Sequence, residues 1–209
     1  MRGNAKPRKL RFAISRPAAT PLVGFCRETH TSGQLLKKLP IRQAPDSMAL
    51  SPDGKVLALG FSPVVELWDL TTSQKVSQCV GHKELLVNLA FSPDGKLMAS
   101  GSIDNTAKIW HVPSGKLKFD LGGYHRAAWK VAFSPDGRTL ATLGDGLKLW
   151  NVTTGLELMT LSRPASFGGV LSFSSHGGVL GHGQNTIELL RAPSFAEIKA
   201  AETAKARNR

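Results

Sequence analysis

The feature that most constrains this chain is an internal repeat with a period of 40 to 42 residues. A Ser-Pro-Asp-Gly motif, which becomes Ser-Ser-His-Gly in its last copy, starts at Ser51, Ser92, Ser134 and Ser174. A second marker, a bulky residue that ends an apolar stretch, keeps the same spacing at Trp68, Trp110, Trp150 and Leu190. Two markers in one register are typical of repeat proteins, in which each unit packs against its neighbours.

The motif and the stretches around it predict four short strands in each repeat. Ser-Pro-Asp-Gly favours a tight turn, because serine hydrogen bonds locally, proline presets φ and glycine closes the turn without steric cost. After the turn at Ser92, apolar stretches follow at 97–100, 107–110 and 117–119, each bounded by Gly, Asn, Asp or Pro. The stretch 128–133 alternates with period two, as a half-buried strand does. We therefore expect one antiparallel sheet of four strands per repeat.

Four residues of the second repeat stand at a characteristic spacing. His82, Ser100, Asp104 and Trp110 follow one another at intervals of 18, 4 and 6 residues. In this pattern the repeat resembles the WD-repeat family of β-propellers, in which such residues form a buried hydrogen-bonded tetrad. The resemblance implies that Asp104 holds His82 and that His82 holds Ser100. Ser100 would then meet the indole of Trp110, and the network would link a loop to strands, since buried polar groups need partners.

The other repeats match this tetrad less well, and the resemblance extends over about residues 41–191. The third repeat has a partial tetrad, which consists of Thr142, Asp145 and Trp150, with Tyr124 at the histidine position. The first repeat keeps only the Trp68-Asp69 pair, and the fourth is degenerate.

The expected fold class is all-β. The resemblance implies a WD-repeat β-propeller segment of about four antiparallel four-stranded blades, an open arc or partial propeller, with a short C-terminal helix. The expected division is a basic arm without regular structure at 1–32, an outer strand at 33–40, blades at about 41–81, 82–122, 123–162 and 163–191, and the helix and tail at 192–209. The helix is predicted from a capping-box pattern at Ser194 that precedes an alanine-rich stretch.

The ends of a four-blade stack would expose apolar faces unless something covers them. The chain could be an open arc, could pair with a second copy to complete an eight-bladed ring, or could be a piece of a longer protein; we favour the arc or the piece. The end of the last repeat resembles that of bacterial WD-repeat proteins whose repeats follow a kinase domain, although this sequence has no kinase motif. If the chain is such a piece, the resemblance implies the C-terminal part of a larger bacterial signalling protein.

The net charge of +12 is concentrated near the N-terminus. Residues 1–45 contain ten lysines and arginines and one acidic residue, whereas residues 46–194 contain thirteen basic and twelve acidic residues. The repeated body therefore has no strong overall charge that would attract nucleic acid. The arm at 1–32 either binds nucleic acid or an acidic partner, or is a solvated tail, and we favour the tail.

Cysteine and histidine usage gives no indication of a metal site or a cofactor. Cys26 and Cys79 lie far apart without CxxC spacing, and the histidines outside the tetrad lack metal-ligand spacing. No apolar run is long enough to span a bilayer. We expect a cytoplasmic protein with no bound metal, no cofactor and no membrane partner.

The residue types of the tetrad include those of a Ser-His-Asp catalytic triad, in Ser100, His82 and Asp104. The sequence lacks the GxSxG elbow of such hydrolases, and the spacing matches a structural network, so we expect no enzyme activity. The function predicted is a non-catalytic scaffold for a protein or peptide partner.

The resemblance also implies where that partner would bind. The family uses positions ahead of the repeated phenylalanine and before the tetrad aspartate. In this sequence those positions include Trp129, Leu85, Val87, Ile103 and Phe167. Trp129 is the favoured anchor, because aromatic residues dominate binding energy at protein interfaces. The alternative is that Trp129 packs between blades.

Overall fold

We analysed a computed structural model that describes residues 12–15, 22–29, 32–161, 169–175, 177, 179–183 and 187–191. The described residues contain eighteen β-strands and no helix, which confirms the predicted all-β class. They fall into two compact units, residues 1–45 and residues 46–209. The C-terminal helix predicted at 192–209 lies outside the described residues, as does Phe167.

The first unit contains one antiparallel sheet with strand order β1-β2-β3. Its strands are β1 (Phe12–Ser15), β2 (Leu22–Thr29) and β3 (Ser32–Lys38). The sequence predicted an arm without regular structure up to residue 32 and a single strand after it, so β1 and β2 differ from that expectation. A single strand leaves its backbone N–H and C=O groups unpaired, and neighbouring stretches rich in β-branched and aromatic residues can pair with them.

The second unit contains four antiparallel sheets, which we call blades 1 to 4. Blade 1 consists of β4 (Ser47–Leu50), β5 (Val56–Phe61), β6 (Val64–Asp69) and β7 (Gln74–Cys79). Blade 2 consists of β8 (Leu86–Phe91), β9 (Leu97–Ser102), β10 (Ala107–His111) and β11 (Leu117–Leu121). Blade 3 consists of β12 (Lys130–Phe133), β13 (Thr139–Leu143), β14 (Leu147–Asn151) and β15 (Glu157–Leu161). Blade 4 has three strands among the described residues, β16 (Val170–Phe173), β17 (Val179–Gly183) and β18 (Ile187–Arg191).

The blades are stacked in sequence order around their first strands. β4 lies beside β8, β8 beside β12, and β12 beside β16. This arrangement is the one expected of a partial WD β-propeller. Each pair of neighbouring blades encloses a separate hydrophobic core, and the core between blades 1 and 2 includes Leu67, Cys79, Met98 and Trp110.

The Ser-Pro-Asp-Gly turn between the first two strands of a blade is held by its own side chains. Ser92 Oγ donates a hydrogen bond to Asp94 Oδ1 at 2.7 Å and accepts one from the Leu97 N–H at 2.9 Å. Chiefly because of the Ser92 hydroxyl, the pKa of Asp94 lies below its ordinary value. The same bonds occur at Ser51 and Ser134. The motif therefore fixes the register of the first hairpin in three blades.

Close packing between blades makes particular glycines necessary. A Cβ added to Gly101 in β9 would lie 2.4 Å from the Ala128 carbonyl oxygen of the next blade's loop. We expect Gly101→Ala to lower the free energy of unfolding by about 1–3 kcal/mol, the usual range for overpacking a tight site. Gly122→Ala is the matched control, because a Cβ there would meet no atom within 4 Å. Urea unfolding of both variants tests this, and equal stability of the two would contradict it.

Candidate functional site

The four tetrad residues of blade 2 meet in one hydrogen-bonded chain. Asp104 Oδ2 lies 2.8 Å from His82 Nδ1, and His82 Nε2 lies 2.7 Å from Ser100 Oγ. Trp110 Nε1 donates to the same Ser100 Oγ at 2.8 Å. Ser100 lies in β9 and Trp110 in β10. The hydrogen-bond network of the tetrad therefore ties the loop that carries His82 to two strands of the blade.

Asp104 also holds the turn in which it lies. Its Oδ1 accepts hydrogen bonds from the Thr106 N–H at 3.0 Å and from Thr106 Oγ1 at 2.6 Å. Its Oδ2 accepts a third from the Lys83 N–H at 2.9 Å. Burial by itself would raise the pKa of Asp104, but the bonds from Thr106, Lys83 and His82 outweigh it and lower the pKa to about 2. Asp104 is therefore an anion that fixes both loops.

The surroundings of His82 favour its neutral form. Burial lowers the pKa of His82 below its ordinary value of 6.5, although the Asp104 carboxylate acts in the opposite direction. A neutral imidazole that donates from Nδ1 to Asp104 can accept the Ser100 hydroxyl proton at Nε2. Ser100 Oγ then accepts the indole N–H of Trp110. In this hydrogen-bond network every donor therefore meets an acceptor.

This geometry has the connectivity of a catalytic triad but not its accessibility. Ser100 and Trp110 are fully buried, and His82 is 6% exposed. A nucleophilic serine has to reach a substrate carbonyl and needs an oxyanion site beside it. The Ser100 hydroxyl is closed off from such a substrate in this structure.

In blade 3 a cluster of three side chains takes the place of the four-residue tetrad of blade 2. Trp150 Nε1 donates to Thr142 Oγ1 at 2.8 Å and lies 3.2 Å from Tyr124 OH, which also hydrogen bonds to Thr142. Burial raises the pKa of Tyr124 to about 12, so the phenol stays protonated. Asp145 stays outside this cluster, and its Oδ2 accepts only a long bond of 3.3 Å from the His125 N–H.

Blade 1 satisfies its tryptophan in a third way, which sequence reasoning missed. Trp68 Nε1 donates to Glu66 Oε2 at 2.9 Å, two positions earlier in the same strand. Asp69 caps the following turn, where its Oδ1 accepts from the Thr71 N–H at 2.6 Å. The signal that could have revealed Glu66 is a charged residue two positions before each tryptophan.

That charged residue pairs with an opposite charge on the last strand of the same blade. Glu66 pairs with Lys75 at 3.1 Å, and Lys148 pairs with Glu157 at 2.7 Å. In blade 2, Lys108 pairs with Asp120, and its side chain is buried. Each ion pair joins the third strand of its blade to the fourth, and so helps fix the position of the last strand.

The loops above the tetrad carry several of the residues predicted to bind a partner. Ser102 Oγ donates to the Leu85 carbonyl at 2.9 Å, and the Ile103 N–H donates to the same carbonyl at 3.0 Å. The Ala128 N–H of the next blade's loop donates to the Ser102 carbonyl at 2.9 Å, directly before Trp129. The structure therefore brings Leu85, Ile103 and the start of β12 to one end of blades 2 and 3.

The predicted binding residues differ in exposure. Leu85 is 45% exposed, whereas Val87, Ile103 and Trp129 are half-buried. Val87 lies where the pairing of β8 with β9 is interrupted between Leu86 and Asn88. Phe167 lies outside the described residues.

Two findings bear on metals and membranes. Within the described part of the chain, no group of three or more His, Cys, Asp or Glu side chains could hold a metal ion. No helix among the same residues is long and apolar enough to cross a bilayer.

Comparison with known families assigns the repeat. Residues 73–111 match the WD40 model, described as WD domain, G-beta repeat. This segment is a WD repeat. The matched segment begins with β7 and ends with β10, so one WD repeat supplies the last strand of blade 1 and the first three strands of blade 2. All four tetrad residues lie inside it.

Similarity to individual proteins covers only parts of them. The chain is 32% identical over 118 residues to the Periodic tryptophan protein 2 homolog of Neurospora crassa, covering 54% of this chain and 13% of that protein. It is 33% identical over 125 residues to GID complex subunit 7 of Schizosaccharomyces pombe, covering 56% and 25%. It is 32% identical over 167 residues to the small ribosomal subunit protein RACK1y of Oryza sativa subsp. japonica, covering 74% and 48%. The chain thus spans less than half the length of each of these relatives.

The tetrad of the matched WD repeat should contribute strongly to stability. Ser100→Ala leaves both the Trp110 N–H and the His82 ring nitrogen without a partner. We expect a loss of roughly 2–4 kcal/mol in the free energy of unfolding, since each such buried group costs about 1–3 kcal/mol. Ser114→Ala, at an exposed turn of the same blade, should change it by less than about 0.5 kcal/mol. Urea unfolding measures both, and a neutral Ser100→Ala would contradict a stabilising tetrad.

The tetrad should also make stability depend on pH. The folded state lowers the pKa of His82 below 6.5, so the unfolded state binds the proton more readily and gains stability as the pH falls below that value. The free energy of unfolding should therefore decrease from about pH 8 to about pH 5. Asp104 does not contribute in this window, because its pKa of about 2 and its ordinary value of 3.8 both lie below it.

Two substitutions isolate the histidine. His82→Gln should flatten the pH dependence of the unfolding free energy, whereas His111→Gln, at an exposed position, should preserve it. Denaturant unfolding at each pH gives the slopes. An unchanged slope in His82→Gln would show that another group titrates.

Proposed function

We propose that this chain is a non-catalytic scaffold that binds a protein or peptide partner at the loop end of blades 2 and 3. The observation that carries the proposal is the set of hydrogen bonds around Ser102, which hold Leu85, Ile103 and the loop before Trp129 together. Exposed apolar side chains on rigidly held loops are typical of binding surfaces. Trp129 is the proposed anchor, and Leu85 is the most exposed member of the surface.

The burial of the tetrad supports a non-catalytic role. Ser100 is fully buried beneath the loops, and its hydroxyl is already bonded to His82 and Trp110. The same bonds hold the loop from which Leu85 projects. In this proposal the tetrad supports the binding surface and takes no part in a reaction.

The names of two relatives support a role in multi-protein assemblies. One relative is a subunit of the GID complex, and another is a protein of the small ribosomal subunit. We propose that this chain likewise acts within an assembly, as part of a longer protein. An origin in a bacterial signalling protein stays a prediction, since the relatives named above come from fungi and rice.

Two further expectations remain proposals. A cytoplasmic location is supported by the sparing use of cysteine, because the sequence has only two cysteines and they lack the spacing of a disulfide framework. Nucleic-acid or acidic-partner binding through residues 1–32 is supported only by the excess of basic residues near the N-terminus.

The binding surface can be tested with matched leucines. Leu85 and Leu117 are both 45% exposed, but Leu85 lies in the proposed surface and Leu117 lies in the last strand of blade 2. Affinity capture of the full chain from its own organism, quantified by mass spectrometry, should recover a partner with the native chain and with Leu117→Glu. Leu85→Glu and Trp129→Ala should reduce recovery at least about 10-fold, the effect of losing one interface anchor.

Two outcomes would contradict the proposal. Equal recovery with Leu85→Glu and Leu117→Glu would place the binding site elsewhere. A Trp129→Ala chain that no longer unfolds cooperatively would show that Trp129 belongs to the core between blades.

A further inference from the structure

Hydrogen bonds connect the proposed binding surface to an aspartate of blade 1. Asp46 lies directly before β4, as Trp129 lies directly before β12. Asp46 Oδ2 accepts hydrogen bonds from the Ser62 N–H at 3.0 Å and from Ser62 Oγ at 2.5 Å. Ser62 Oγ in turn accepts the Leu86 N–H at 2.7 Å, one residue after Leu85. Asp46 is therefore held beside the loop from which Leu85 projects.

Asp46 presents a carboxylate whose orientation is fixed while one of its oxygens stays available. The residue is exposed, and both of its side-chain hydrogen bonds go to Oδ2. It forms no ion pair with any described residue. A side chain that is already ordered loses little freedom when a partner binds it. Asp46 is therefore suited to pair with a lysine or arginine side chain.

Blade 3 contributes a second carboxylate that lacks donors. Asp145 Oδ1 is buried without a hydrogen-bond partner among the described residues, and Oδ2 accepts only the long bond from the His125 N–H. In blade 2, the N–H and hydroxyl of Thr106 satisfy Oδ1 of Asp104, two residues earlier. The residue two positions after Asp145 is Leu147, which has no hydroxyl. Because a buried acceptor without a donor is rare, Asp145 is suited to receive a donor from another molecule.

Apolar side chains lie between the two carboxylates. Leu85 is exposed, and Ile103 and Trp129 are half-buried. The Trp129 N–H donates to the Leu143 carbonyl at 2.7 Å, two residues before Asp145. Hydrogen bonds therefore link this end of blades 1, 2 and 3 into one surface. We call Asp46, Leu85, Ile103, Trp129 and Asp145 the loop-end surface.

The other charged residues near this surface leave the two carboxylates unpaired. They are Lys83, Glu84, Arg126 and Lys130, of which Lys130 is half-buried and the others are exposed. None of the three cations forms an ion pair with Asp46 or Asp145. A partner's lysine or arginine would meet an opposite charge at each carboxylate, whereas a partner's aspartate or glutamate would meet a like charge.

We propose that the partner of the loop-end surface is a basic peptide segment. An apolar side chain of the segment packs on Leu85 and Trp129, and its lysine or arginine side chains pair with Asp46 and Asp145. The apolar contact supplies affinity, and the carboxylates select the partner by charge. This inference rests on the proposed function and names the class of partner that it requires.

Selection of random heptapeptides displayed on phage by the immobilised full chain tests the inference. We expect the selected peptides to be enriched in lysine or arginine within a few positions of a leucine, isoleucine, phenylalanine or tryptophan. The dissociation constant of one selected peptide is then measured by fluorescence polarisation. Asp46→Asn and Asp145→Asn should each weaken binding at least about 5-fold, because each removes one charge-assisted contact.

The controls separate charge from structure. Asn keeps an oxygen that can accept the bonds from Ser62, so Asp46→Asn should leave the unfolding midpoint unchanged. Asp53→Asn makes the same change at the other end of β4, where the carboxylate is bonded within its own turn, and it should leave peptide affinity unchanged. Asp46→Lys should move the selection towards peptides that contain aspartate or glutamate.

The outcomes distinguish this inference from the proposed function. The inference is overturned if no peptide is selected, if the selected peptides are not enriched in lysine or arginine, or if both Asn variants bind them as the native chain does. In the last two cases the proposed function still holds when Leu85→Glu abolishes binding. Selected peptides that bind Leu85→Glu and the native chain equally would contradict the proposed function as well.

Discussion

The structure depends on one constraint, which is that each small twisted sheet has two apolar faces and can cover neither by itself. Blades 1 to 3 meet this constraint by contact with the blade that follows, through buried aliphatic residues such as Leu67 and Ile109. Small residues at the centre of these faces allow the approach, and at Gly101 even one added methyl group would collide with a neighbouring carbonyl. Stability is therefore a property of neighbouring blades in contact and not of any blade alone.

Close packing of this kind makes every buried polar group important. Each tryptophan of blades 1 to 3 brings an indole N–H into or beside the core, and each blade satisfies it differently. Blade 2 uses Ser100 within a complete tetrad, blade 3 uses Thr142 with Tyr124, and blade 1 uses Glu66. The requirement for a partner is constant, whereas the residue that provides it varies, because a hydroxyl and a carboxylate can both accept this proton.

In our proposal the function depends on which loops of the stacked blades are held rigidly and which apolar side chains of the blades are exposed. The tetrad and the hydrogen bonds of Ser102 fix the loops above blades 2 and 3, so less backbone freedom is lost there when a partner binds. In blade 4 the apolar side that carries Leu189 has no sheet against it among the described residues.

The sequence by itself determined the repeat, the strands of each blade and the Ser-Pro-Asp-Gly turn, whereas the membership of the blade 2 tetrad was implied by the resemblance to a known family. These features depend on short-range patterns, namely alternation, turn chemistry and fixed spacing, which a single stretch of chain carries within itself. Only the tertiary structure decided that Glu66 serves Trp68, that β1 and β2 pair with β3, and that Leu189 is exposed while Leu149 is buried. The two leucines occupy equivalent positions in their repeats. A following sheet covers Leu149, whereas the described residues place none against Leu189, and no local pattern records that difference.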